Sequence, residues 1–202
     1  MLQRAAAGDR AAASWLYANY RHRLKALVNL RLDRRLASRV DASDVVQEAL
    51  LEADRRLGDY FAAPPMEFYL WLRFLAVQKL IDLHRHHLQT QKRSARRELS
   101  LQNHAPEASS ACLAMQLLGK LTTPTEAARR AELQQLMQAA LEGLDPLDRE
   151  VLALRHFERL SNEETAQVLG LSRSGASKRY IVALARLREH LGPQHDFTDW
   201  LS

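Results

Sequence analysis

Residues 160–191 read LSNEETAQVLGLSRSGASKRYIVALARLREHL, and their spacing decides what the second half of the chain folds into. Ser161-Asn162-Glu163-Glu164 puts a hydroxyl at a helix N-cap and a carboxylate three residues on, a reciprocal pair that satisfies two otherwise orphaned amides. Gly170 can take the left-handed conformation that a sharp turn needs, and Ser172 caps a second helix directly after it. Ala166 and Ala176 are small where the two helices must approach closely. Tyr180, Ala183 or Leu184, and Leu187 continue the inward stripe of the second helix. The opposite stripe holds Ser174, Ser177, Lys178 and Ile181, with Arg173 and Arg179 at its flanks. Ser and Lys can hydrogen-bond base edges, Ile can touch a thymine methyl, and Arg can grip phosphate. A plain helical hairpin shares the small-residue spacing. The capping box, turn glycine and basic second helix together favour a DNA-binding helix-turn-helix.

Working back toward the N-terminus, Asp145-Pro146-Leu147-Asp148 supplies an N-cap, a proline at the first helical position and an early carboxylate, so a helix is expected from there to Phe157. Another covers 126–141, with Gly143 marking its end. Between 98 and 124 the periodicity weakens and Ser, Asn, Thr and Pro accumulate, which reads as a linker, with a short helix over 111–121 as an option inside it.

The first half is helical too. From Arg10 to Leu32, the residues Trp15, Leu16, Tyr20, Leu24, Leu27 and Val28 form one apolar stripe, with Arg21, Arg23, Lys25 and Arg31 on other faces. After a loop over 34–40, Asp41 caps a second helix whose apolar face is Val45, Val46, Ala49, Leu50, Ala53 and Leu57, with Gly58 closing it. Pro64-Pro65 stops the chain and opens a third helix carrying Phe68, Trp71, Leu72, Leu75, Leu80 and Ile81. Its far end, residues 84–97, holds five Lys/Arg and no acidic residue.

Composition agrees with an all-α protein of two domains. Of the 202 residues 47% are hydrophobic and 26% charged, with only 7 Gly and 6 Pro, a balance that favours helices and a folded core. The formal charge is +5, and residues 1–97 carry 18 Lys+Arg against 10 Asp+Glu, so the basic excess belongs to the first half. A single cysteine, Cys112, leaves no internal disulfide and no multi-cysteine zinc site. The N-terminal MLQRAAAGDR has no apolar core of a leader and no stretch approaches 18 apolar residues, so a cytoplasmic location away from membranes is expected.

Several segments resemble a known family. Residues 160–191 are similar to region 4 of extracytoplasmic-function (ECF) sigma factors, and DPLDREVLALRHF (145–157) resembles the helix that precedes it there. Asp44-Val45-Val46-Gln47-Glu48 matches the "D-[ILV]-V-Q-E" signature of region 2, and FYLWLRFLAVQKLIDLHRH (68–86) matches "F-x-x-W-L-x-x-I-A-x-N-x-x-I-D-x-x-R". The resemblance implies region 2 over 1–97, a three-helix bundle; a linker over 98–125; region 4 over 126–192; and a tail over 193–202. It implies that Asp44, Gln47 and Glu48 supply polar contacts, and Val45 and Val46 packing, to the clamp helices of the largest subunit of core RNA polymerase, with the flap a further contact. Ordinary first-turn carboxylates are the alternative reading of Asp44 and Glu48 taken alone.

The resemblance further implies that the third helix reads the −10 promoter element with Gln78, Lys79, Arg85, Lys92 and Arg93. The family usually has Asn where Gln78 stands, which puts the preferred base, not the role, in question. Trp71 lies in the apolar stripe and reads as core more readily than as a stacking platform. The −35 element falls to Arg173, Ser174, Ser177, Lys178, Arg179 and Ile181. The family's "T-V-K-S-R" is replaced here by Ala176-Ser177-Lys178-Arg179-Tyr180. Many members have an anti-sigma partner.

No covalent chemistry, cofactor or metal is expected, and a monomer is the default when free. His84, His86 and His87 make a weak ligand set without a matching carboxylate or thiolate. A nuclease built on them needs convergent carboxylates, and only Asp82 is near in sequence. No added C-terminal regulatory domain is expected, and Trp200-Leu201 either packs on the last helix or serves as a docking tail. A stand-alone helix-turn-helix regulator is the rival reading; it leaves the Asp44–Glu48 helix and the apolar third helix without a special purpose.

Overall fold

Asp9 begins the first long helix, its side chain accepting a hydrogen bond from the Ala12 N–H at 3.0 Å while Arg4 closes on the same carboxylate at 2.7 Å. The computed structural model describes residues 1–33, 36, 39–91, 106–119 and 127–192, and among these every regular element is helical. The chain divides into two units, 1–106 and 107–202.

The first unit contains α1 (Leu2–Ala6), α2 (Arg10–Arg31), α3 (Ala42–Arg55), α4 (Leu57–Ala62) and α5 (Phe68–Gln91). On α2 the buried stripe is Ala12, Ala13, Leu16, Leu24, Leu27, Val28, Leu30 and Arg31. Two expectations are corrected here. Trp15 is 50% exposed, because it sits one helical step (100°) away from the Leu16 line that faces the core. Arg31 lies on that line instead of on an outer face, and its guanidinium donates to the Pro106 carbonyl at 3.0 Å, which makes its burial tolerable.

Asp41 caps α3 by accepting from the Ser43 N–H at 2.7 Å, and that backbone hydrogen bond, with the Ser43 side chain, holds its carboxyl below the usual range. The helix ends at Arg55, so Gly58, expected to close it, lies inside α4. Tyr60 of α4 stacks on Trp71 with ring centroids 4.5 Å apart, and its hydroxyl donates to the Met66 carbonyl at 3.0 Å. This pair folds the Pro64-Pro65 bend back on the core, and α5 opens at Phe68, three residues after the prolines instead of on them. Trp71 is buried, as its stripe suggested. Leu72, Leu75, Ala76 and Leu80 are fully enclosed, and truncating either Leu72 or Leu80 to Ala belongs to the class of change costing about 2–5 kcal/mol.

The second unit holds α6 (Ser110–Gly119), α7 (Ala127–Glu142), α8 (Pro146–Leu152), a wider π turn (Ala153–Phe157), α9 (Asn162–Leu169) and α10 (Arg173–Leu191). Leu113 and Ala114 are completely buried and α6 packs on α7, so this part of the expected linker is folded into the second unit. Residues 98–105 and 120–125 of that linker, residue 126 after it, and the tail 193–202 with Trp200-Leu201 lie outside the described residues. Gly143 lies close under the His190 ring: a Cβ there would meet it at 2.8 Å, so a side chain at this position would have to displace that ring.

The helix expected to run from Asp145 to Phe157 changes character after Leu152. The Glu158 N–H reaches back to the Ala153 carbonyl at 3.0 Å, the Leu160 N–H to that of Leu154 at 2.9 Å, and Arg159 turns with φ +55°. This widening carries Arg155 and His156 toward Tyr180 of α10: His156 Nε2 lies 2.8 Å from the Tyr180 hydroxyl.

Candidate nucleic-acid interface and docking faces

The helix-turn-helix forms through the contacts its sequence foretold. The Ser161 side chain accepts from the Glu164 N–H at 3.1 Å and the Glu164 carboxylate from the Ser161 N–H at 2.6 Å. Gly170 adopts φ +64°, the Leu171 N–H closes on the Ala166 carbonyl at 2.9 Å, and Ser172 accepts from the Gly175 N–H at 3.0 Å. Asn162 braces the second helix by donating to the Arg173 carbonyl at 2.8 Å. Ala166 and Ala176 are buried where α9 and α10 meet.

On α10 the structure exposes Arg173, Ser174, Ser177, Lys178 and Ile181 together, and Ile181 at 63% is its most exposed large apolar residue. Arg179 does not join them. It turns inward to Asp145 at 2.5 Å and to Asp148, while Arg186 reaches the other oxygen of Asp148 at 2.5 Å. Asp148 is fully buried, so these two arginines fasten α10 to α8. The Leu147 amide, with Arg179 beside it, holds the Asp145 carboxyl below its ordinary value. Tyr180 is half-buried and burial pushes its hydroxyl pKa up. Val182, exposed beside Ile181, went unread in the sequence because an isolated valine carries no face label until its neighbours are placed.

In the first unit, Asp44, Gln47 and Glu48 are exposed on one side of α3. Val45 and Val46, expected to offer packing to a partner, are buried and hold α3 against α2 and α5 instead. The apolar residue that α3 does present is Leu51, 54% exposed. It stands three, four and seven positions after Glu48, Gln47 and Asp44, a spacing that was available to find it.

On α5, Gln78 and Arg85 are exposed and Lys79 is half-buried; Lys92 and Arg93 lie outside the described residues. Phe74, one turn before Gln78, is 45% exposed, and no sequence signal separated it from the core rings around it. His84 Nε2 lies 3.5 Å from the Asp33 N–H, and the His87 side chain lies outside the described residues. Among the described residues, no group of three or more His, Cys, Asp or Glu is arranged to hold a metal, and no helix is long and apolar enough to cross a membrane.

A helical unit with a polar-rimmed face on α3 and an amide-bearing face on α5, followed by a helix-turn-helix with a Ser/Lys/Ile outer stripe, defines a modular nucleic-acid-binding protein of the helix-turn-helix class. Residues 14–90 match the family description "Sigma-70 region 2" and residues 140–189 match "Sigma-70, region 4", together more than half of the chain. The chain belongs to the sigma-70 family, in its extracytoplasmic-function group. It is 29% identical over 169 residues to the ECF RNA polymerase sigma-E factor of Escherichia coli, covering 84% of this chain and 81% of that one. It is 46% identical over 56 residues to the RNA polymerase sigma-E factor of Streptomyces antibioticus, a match spanning 28% of this chain and 31% of the relative. The solved structure of CnrH in complex with the cytosolic domain of CnrY is similar with a TM-score of 0.52 and 26% identity, over 92% of this chain and 91% of that one.

Proposed function

We propose that this chain is a sigma factor that binds core RNA polymerase and directs it to a set of promoters, with residues 1–97 serving docking and −10 recognition and 126–192 serving −35 recognition. The observation that carries the reading is the exposed stripe Asp44, Gln47, Glu48 and Leu51 on α3, a polar rim around one apolar residue that the unit's own core does not use. It would dock on the clamp helices of the polymerase largest subunit, with region 4 meeting the flap. Gln78, Lys79 and Arg85 would then face the −10 element, with Lys92 and Arg93 continuing along its phosphates, and Ser174, Ser177, Lys178 and Ile181 would enter the major groove of the −35 element. Arg173 suits a phosphate contact; Arg179 serves as a brace. Phosphodiester synthesis would belong to the polymerase, so the chain itself needs no catalytic residue or cofactor. A cytoplasmic monomer fits this role. An anti-sigma partner is part of the proposal, supported by the similar CnrH having been captured with another protein's cytosolic domain.

The test is reconstituted transcription. Core polymerase with the purified chain, supplied with fragmented genomic DNA, is expected to start at discrete sites sharing two sequence elements. Starts no different from those of core polymerase alone, where a control sigma factor gives discrete ones, would reject the proposal.

A further inference from the structure

Helix α10 is fastened within its unit along two lines. Arg179 and Arg186 stand seven positions apart, two turns of helix, and both close on the fully buried Asp148 of α8. One such line leaves a helix able to roll about it. The second line is half-buried Tyr180, about 100° further round. Its ring centroid lies 5.5 Å from that of His156, whose Nε2 is 2.8 Å from the Tyr180 hydroxyl. The Arg155 guanidinium sits 5.3 Å from the centre of the same ring and donates to the Leu160 carbonyl, at the entry to α9. Beside Tyr180 on its stripe are Ala176 and Ala183, fully buried but too small to key a rotation. Position 180 is where the pattern "T-V-K-S-R" carries arginine, so the pattern does not supply this contact.

We infer that His156 and Tyr180 are positioning residues for sequence reading: their contact stops α10 from rolling and so fixes where Ser177 and Ile181 meet the bases. This rests on the proposed −35 role of α10 and adds to it two residues that need not touch DNA. Ser177 lies three positions before Tyr180 and Ile181 directly after it, both exposed, so a roll carries the two sideways together. A hydrogen bond to a base edge weakens steeply with angle and is lost beyond about 3.5 Å. The long flexible stem of Lys178 lets its ammonium follow a phosphate through the same displacement. Loss of the Tyr180 contact therefore acts on discrimination between sequences more than on general affinity.

The experiment uses core polymerase reconstituted with the full chain, and duplex DNA carrying a randomised segment as probe. Wild type selects the duplexes it retains, and the affinity ratio between a selected duplex and one with its upstream element scrambled is then measured. Tyr180→Phe, which keeps the ring and removes the hydroxyl, and His156→Leu are each expected to lower that ratio about fivefold, what one hydrogen bond contributes. Affinity for the scrambled duplex and its dependence on salt stay at their wild-type values. The double variant Tyr180→Phe/His156→Leu loses no more than either single change, since both remove one contact. His156→Gln, whose amide can meet the hydroxyl, is expected to stay within about twofold of wild type. The inference is overturned if Tyr180→Phe keeps the wild-type ratio, whatever its unfolding midpoint in urea, because the contact would then serve stability alone. It is also overturned if affinity for the scrambled duplex falls as far as that for the selected one, or if the variants lose core polymerase in a native gel. Failure of wild type to select any upstream element would instead overturn the −35 reading, and the inference with it.

Discussion

Lys178 and Arg179 follow each other on α10, and the 100° between them sends the first to the surface and the second to Asp145 and Asp148. Two adjacent cations therefore have separable roles. Lys178→Gln is expected to weaken duplex binding for all sequences and to lower the slope of log affinity against log salt by about 1, as loss of one phosphate contact does. Arg179→Gln is expected to leave that slope alone and to lower the unfolding free energy of the second unit by about 1–3 kcal/mol, because it takes one of two arginine partners from the fully buried Asp148 carboxylate. Anisotropy titrations across a salt series, with urea unfolding beside them, separate the two; an altered salt slope in Arg179→Gln would return that residue to the DNA contacts. At this scale the sequence was a partial guide. It marked Ser174, Ser177, Lys178 and Ile181 for the outer stripe with Arg173 at its flank, and all five are exposed. It could not mark Arg179 as a brace, because its partners stand 31 and 34 positions earlier and only the fold brings them close.

Elements are governed by contacts within a few residues, and there the sequence was most legible. The capping box at Ser161, the proline start at Pro146 and the glycine turn at Gly170 each depend on neighbours within four positions. Gly170 shows what the turn costs to change. It has φ +64° and nothing within 4 Å of where a Cβ would be, so Gly170→Ala carries a conformational penalty alone. The expected loss is about 1 kcal/mol in urea unfolding, and less for Gly170→Asn, which tolerates the left-handed region. Equal losses for Ala and Asn would mean that something other than the backbone angle sets the cost. Legibility fails where face or pitch depends on packing. Trp15 and Leu16 are equally apolar, and only the position of the core chose between them. The π turn at 153–157 requires Arg159 at φ +55° and buried Ala153 and Leu154, none of which a periodic pattern announces.

Over the whole chain, the order of the signatures matters more than any one of them. An exposed stripe of Asp44, Gln47, Glu48 and Leu51 on α3 and an exposed Gln78 on α5 precede a helix-turn-helix, and the family matches fall on the same two stretches, 14–90 and 140–189. The excess of positive charge in residues 1–97 suits the proposal that this unit meets DNA phosphates as well as protein. A stand-alone regulator needs only the second unit, so the claim that separates the two readings is docking on polymerase through α3. Its direct measurement is retention of core RNA polymerase by the immobilised full chain, wild type against Asp44→Lys/Glu48→Lys, with helicity and unfolding midpoint matched. Both carboxylates are exposed, so the double reversal leaves the core of the unit intact. Wild type is expected to retain the polymerase and the reversed chain to lose it by tenfold or more. Equal retention by both, or none by wild type where a control sigma factor binds, would contradict the docking role assigned to α3.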